Sequence, residues 1–143
     1  MIGLDFDGVI NDFEQYLEKG GTVEEALSGE AFPEELKPMC EEVLDLLRSG
    51  LVSVIITNRD DLRPVREWIS YWVPEAKDVE IESSAETGKG KICKDYNVLV
   101  FVDDDRKHID DVEKFGVIGV YFDRKKYETP VAALLDYLFG RTF

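Results

Sequence analysis

The chain has little of what most often declares a chemistry. Of its 143 residues, two are cysteine and one is histidine. Cys40 and Cys93 are too far apart for a redox pair or a metal-ligand spacing, and both fall in apolar helical patterns, so they read as reduced core residues. His108 alone leaves no histidine-rich metal site and gives a Ser-His-Asp triad no second choice of base. It reads as a surface or supporting residue. Basic residues are also few: 17 Lys and Arg against 31 Asp and Glu give a net charge of −14. That balance weighs against general binding to nucleic-acid backbones or anionic membranes. No apolar run approaches the length of a bilayer span, and the chain opens without the basic start and unbroken apolar stretch of a signal peptide. Repeats, low-complexity tracts and Ser/Gly-rich linkers are missing. These absences describe a soluble, cytoplasmic protein.

The 44% of apolar residues suffices for one real core, so a single domain over residues 1–143 is expected. Ile2–Phe6, Leu51–Ile56, Val98–Val102 and Val117–Phe122 are short apolar runs that read as buried strands, and Val79–Ile81 is a weaker one. Helical spacing covers Glu34–Ser49, Asp60–Trp72, Lys89–Tyr96, Arg106–Phe115 and Pro130–Phe139. Near-continuous apolar strands alternating with helices predict an α/β, three-layer Rossmann-like fold with a mostly parallel central sheet. Ligands bind such sheets beyond the carboxyl ends of the strands. Residues 12–33 are the least regular stretch and read as a small helical insertion that overhangs that edge.

The unusual polar residues all fall at those strand ends. Asp5-Phe6-Asp7-Gly8 puts two carboxylates one residue apart, which strand alternation alone sends to opposite sides and a turn at Gly8 can reunite. Thr57, followed by Asn58 and Arg59, offers a hydroxyl and adjacent backbone N–H groups to phosphoryl oxygens; helix capping by Asn58 or Asp60 is the rival explanation. Asp103-Asp104-Asp105 packs three carboxylates that repel one another, an arrangement a cation relieves. Oxygen-only ligands suit Mg²⁺. The rival here is that Asp105 caps the next helix while its neighbours face water. Arg124-Lys125-Lys126 is a solvated turn or an anion-binding patch.

Taken together, Asp5-Phe6-Asp7-Gly8-Val9-Ile10, Ile56-Thr57-Asn58, Lys89 and Val102-Asp103-Asp104, in that order, resemble the four motifs of the haloacid dehalogenase superfamily. The resemblance spans almost the whole chain. Lys89 follows Thr87-Gly88 and opens a helix, which favours it over Lys91 as the family's lysine. The resemblance implies a Mg²⁺-dependent phosphomonoester hydrolase acting through an aspartyl-phosphate. Asp5 would be the nucleophile and Asp7 the general acid and base. Asp5, the Asp7 carbonyl and Asp104 would hold Mg²⁺, with Asp103 acting directly or through water. Thr57, Asn58 and Lys89 would bind the phosphoryl oxygens, and Arg59 would contact the substrate or form a surface ion pair.

The stretch between the first two motifs is too short for a full helical cap, so the site is expected to have little or no cap. A small phosphorylated metabolite or nucleotide is the expected substrate, with closure by a second subunit compatible. Two alternatives stand: a polynucleotide end phosphatase, which the net charge disfavours, and a non-catalytic module that binds a phosphate ligand. A receiver domain uses similar residues in the wrong order.

Overall fold

The computed structural model describes residues 1–31 and 33–140; residues 32 and 141–143 of the expected domain lie outside the described residues. Five parallel strands form one sheet in the order β3-β2-β1-β4-β5: β1 (Ile2–Asp5), β2 (Val52–Thr57), β3 (Glu80–Ser83), β4 (Val100–Asp103) and β5 (Ile118–Tyr121). Helices cover both faces, giving the expected α/β three-layer Rossmann-like architecture. The alternation of side chains along each strand divides the core in two. Leu4, Ile55, Val102 and Val120 face one layer with α3 (Glu41–Arg48), α4 (Arg63–Trp72) and α7 (Pro130–Phe139). Val54, Ile56 and Phe101 face the other, with Ile92 and Cys93 of α5 (Lys89–Asp95) and Val112 of α6 (Arg106–Glu113).

The helical segment expected over Glu34–Ser49 is broken. Pro33–Glu35 form a single 3₁₀ turn, and α3 begins only at Glu41. Pro38 explains the gap, since inside a helix it lacks the N–H donor and clashes with the preceding turn. The intervening chain runs extended beside the first motif instead: Asp12 N donates to Lys37 O at 2.8 Å and Met39 N to Ile10 O at 2.8 Å. Cys40 therefore sits before α3 and half-buried, while Cys93 is buried as expected; both are free thiols. Helix α4 likewise starts at Arg63, where the Asp61 carboxylate accepts from Arg63 N at 3.0 Å and Pro64 occupies the first turn.

Residues 12–33 contribute two short helices, α1 (Phe13–Glu18) and α2 (Val23–Ser28). Asp12 and Thr22 cap them, each accepting a backbone N–H of the first turn. Trp68 ties the chain just after this region to the core: its indole N–H donates to Leu36 O, and its ring meets Phe6 edge-on at 5.4 Å. No helix among the described residues is long and apolar enough to cross a membrane.

Candidate active site

The strand order puts β1 between β2 and β4, so the three acidic or hydroxyl-bearing strand ends converge. Leu4 pairs with Val102, and one residue further Asp5 and Asp103 stand side by side. Both are buried, and Lys89 lies between them: its Nζ donates to Asp5 Oδ1 and Asp103 Oδ2, each at 2.8 Å. Lys89 opens α5, whose first turn is docked onto α6 by Gly90 N donating to Asp111 Oδ2 at 2.8 Å. Lys91, the other lysine considered, is exposed and pairs with Asp95.

Asp103 is fully engaged. Its Oδ1 accepts from Asp105 N at 2.9 Å, and its Oδ2 faces both Lys89 and His108 Nδ1, the latter at 3.0 Å. Burial opposes its ionisation, but these hydrogen bonds and charges outweigh burial and hold its pKa down at about 2. Lys89 is similarly held charged: burial works against the ammonium, and Asp5 and Asp103 more than compensate, raising its pKa.

Asp5 and Asp104 are the strained carboxylates. Burial, with Asp103 and Asp104 nearby, lifts Asp5 well above the usual range despite Lys89. Asp104 is exposed as a residue, but its carboxylate turns in over Gly8; the partial loss of solvent there, and then Asp103, push its pKa up to about 6. One carboxylate oxygen from each of Asp5, Asp103 and Asp104 lies within 4.8 Å of the others. Space for the Asp104 carboxylate exists because residue 8 has no side chain: a Cβ there would stand 2.1 Å from Asp104 Oδ2. An all-oxygen donor set with unrelieved negative charge suits a hard divalent cation such as Mg²⁺. Since both Asp103 oxygens have partners, Asp5 and Asp104 are the two side chains best placed to hold the ion.

The backbone turns after β1, with Gly8 N donating to Asn11 Oδ1 at 3.1 Å. Asn11, fully buried, donates in turn to Asp7 Oδ1 at 3.0 Å. This brings Asp7 to the same cavity as Asp5. Arg59 grips Asp7 with two parallel bonds, Nε to Oδ2 at 2.8 Å and NH2 to Oδ1 at 2.7 Å, and its NH1 donates to Ala26 O at 2.9 Å. Arg59 is therefore a buried clamp between the first motif, the loop after β2 and α2, rather than an exposed ion pair. Thr57 is buried beside it; its hydroxyl accepts from Arg59 N at 3.3 Å, which leaves the hydroxyl proton to donate. Asn58 has its side-chain oxygen engaged by Ser84 Oγ at 3.1 Å.

These groups line one cavity of about 770 Å³ at the carboxyl edge of the sheet, and α2 forms one of its walls. Seven of the eight expected site residues, Asp5, Asp7, Thr57, Asn58, Arg59, Lys89 and Asp104, line the cavity, and Asp103, fully buried, stands behind Lys89 at 2.8 Å. Sequence reasoning missed Asn11, Ser84 and the contact of His108 with Asp103. Only Asn11 left a signal, as a polar residue three positions beyond Asp7-Gly8 in an otherwise apolar stretch. Arg124, in the basic run, pairs with Asp12 and Glu14 instead of offering an anion site. Comparison with protein-family models, with curated proteins and with solved structures gives no match.

Proposed function

We propose that this protein is a Mg²⁺-dependent phosphomonoester hydrolase of the haloacid dehalogenase type, working in a cytoplasmic setting where both thiols stay reduced. The observation that carries this reading is the Asp5–Lys89–Asp103 bridge beside Asp104 at the floor of a cavity that also contains Asp7 and Thr57. A structural ion pair alone does not account for three carboxylates at one strand edge around a single ammonium, because burying such a group is costly unless a ligand completes it.

Asp5 and Asp104 would hold the ion, whose contribution when bound is to neutralise phosphoryl charge so that an anionic nucleophile can approach an anionic ester. The remaining chemistry belongs to the chain. Lys89 orients the Asp5 carboxylate through Oδ1, leaving the other oxygen to attack phosphorus. The Thr57 hydroxyl, the Asn58 backbone N–H and Lys89 bind the phosphoryl oxygens and stabilise the charge that develops on them. As the new phosphorus–oxygen bond to Asp5 forms, the bond to the leaving oxygen breaks, and Asp7 supplies the proton to that oxygen. Asp7 then takes a proton from water, the water oxygen attacks phosphorus, and the bond to Asp5 breaks to restore the carboxylate. Arg59 and Asn11 set the direction of the Asp7 carboxylate.

The test is phosphate release from p-nitrophenyl phosphate with and without Mg²⁺, in the native protein and in Asp5→Asn. Turnover that needs Mg²⁺ and disappears in Asp5→Asn is expected. Turnover equal in the two proteins, or none in the native one, overturns the reading.

A further inference from the structure

The proposed chemistry has no task for His108, the single histidine of the chain. It stands in the first turn of α6 and lines the cavity. One edge of its ring is nonetheless turned to the floor, with Nδ1 3.0 Å from Oδ2 of the fully buried Asp103. Nε2 lies 3.9 Å from Asp105 Oδ2, beyond hydrogen-bonding reach. Asp103 is held ionised and has no proton to give, so the hydrogen of the first contact sits on Nδ1 whatever the charge of the ring.

The place of that bond matters as much as its strength. Lys89 donates to the same oxygen at 2.8 Å. The two donors take both lone pairs of Oδ2, and Oδ1 is drawn to Asp105 N at 2.9 Å. Yet an oxygen of Asp103 lies within 4.8 Å of oxygens of Asp5 and Asp104, close enough for three carboxylates to close on one cation. A third carboxylate would tighten cation binding, because affinity rises with ligand charge. It would also set a dication and the Lys89 ammonium on one carboxylate, where they repel each other. Lys89 would then leave the position from which it serves the phosphoryl oxygens.

Resting on the phosphatase reading, we propose that His108 is a positioning residue whose Nδ1–H keeps Asp103 committed to Lys89 and out of the cation's coordination. The role belongs to Nδ1 alone, and Nε2 has no part in it. Without the ring, one lone pair of Oδ2 is free to turn to the cation. Ca²⁺ takes more oxygen ligands in a more flexible geometry and gains most from this; Mg²⁺ keeps its waters and gains less. Loss of His108 thus moves affinity and turnover in opposite directions, whereas loss of a residue that only supports the fold lowers both.

Leucine and asparagine divide the role, because a Leu methyl and the Asn amide nitrogen stand as many bonds from Cα as Nδ1 does. In His108→Leu, titration calorimetry should show Ca²⁺ bound about tenfold more tightly than by the native protein, with a smaller gain for Mg²⁺. Its kcat on p-nitrophenyl phosphate in saturating Mg²⁺ should fall about tenfold to a hundredfold. His108→Asn keeps the donor and should bring Ca²⁺ affinity and kcat back to within about threefold of native. Ca²⁺ affinity in His108→Leu equal to or below native, an unchanged kcat there, or an Asn variant outside its range overturns this inference; native turnover leaves the phosphatase reading standing. If His108→Leu does not fold, His108→Asn decides alone, by falling inside or outside that range. A native protein that binds neither cation and turns over no ester overturns both.

Discussion

Arg59 donates to both carboxylate oxygens of Asp7, at 2.8 and 2.7 Å, with its own side chain only 4% exposed. The same guanidinium reaches Ala26 O, so one side chain aims the proposed general acid and anchors the wall of the cavity. Arg59→Ala is expected to lower stability by about 3–5 kcal/mol, the usual cost of breaking a buried pair from one side. Arg59→Lys keeps the charge but loses the planar fork. It should recover part of the stability in urea unfolding while kcat on p-nitrophenyl phosphate stays depressed, because Asp7 is no longer aimed.

Asp5→Asn is expected to separate stability from turnover. Burial and two nearby carboxylates make the Asp5 charge unfavourable in the folded protein without metal. An amide still accepts from Lys89, so the metal-free melting temperature should not fall. Turnover and the Mg²⁺-dependent rise in melting temperature should both be lost. Lys89→Met does the opposite to the fold, leaving Asp5 and Asp103 facing each other without the ammonium, at a cost of about 3–5 kcal/mol in urea unfolding.

The parallel sheet was legible because strands buried on both faces are written as continuous apolar runs, as in Val52–Thr57, and because each run ends in a polar group that has no place in a core. Lys89 was legible from Gly88 and the helix it opens. Less legible were relationships that depend on how distant segments close on one another. Arg59 and Asp7 are 52 positions apart, and nothing local to Thr57-Asn58-Arg59 says that its arginine turns inward. The expected helix over Glu34–Ser49 failed for a different reason: its apolar stripe was real, but Pro38 breaks the backbone ladder and sends the chain to pair with Asn11. Helix α2, a wall of the cavity, is only six residues long, too short for periodicity to mark which of its residues face the site.

The pH response without metal and with it should have opposite signs. Asp104 has a folded pKa of about 6 against an ordinary 3.8, so the folded state binds its proton more tightly than the unfolded state. Its contribution is present below about pH 4 and is lost as pH rises through about 6. Metal-free stability should therefore decline across that window as far as this group governs it. Mg²⁺ needs the ionised carboxylate, so its apparent affinity should weaken about tenfold for each pH unit below about 6. Thermal melts with and without Mg²⁺ across this range give both slopes, and a Mg²⁺ stabilisation that does not change with pH would contradict the assignment of Asp104.

Gly8 lies at a φ of +85°, and a Cβ there would stand 2.1 Å from Asp104 Oδ2 and 2.9 Å from its Cγ. Gly8→Ala thus imposes two separate penalties: a strained left-handed backbone, costing about 1–2 kcal/mol, and displacement of a proposed metal ligand. Gly50 divides them, since its φ of +80° is nearly the same and nothing lies within 4 Å of its added Cβ. Both alanine variants should lose similar stability without metal. Only Gly8→Ala should bind Mg²⁺ more weakly, by about tenfold to a hundredfold, the range seen when ligand positioning is disturbed. Isothermal titration of the two variants with Mg²⁺ makes the comparison, and equal affinities would mean that the Asp104 carboxylate does not hold the ion where Gly8 leaves it room.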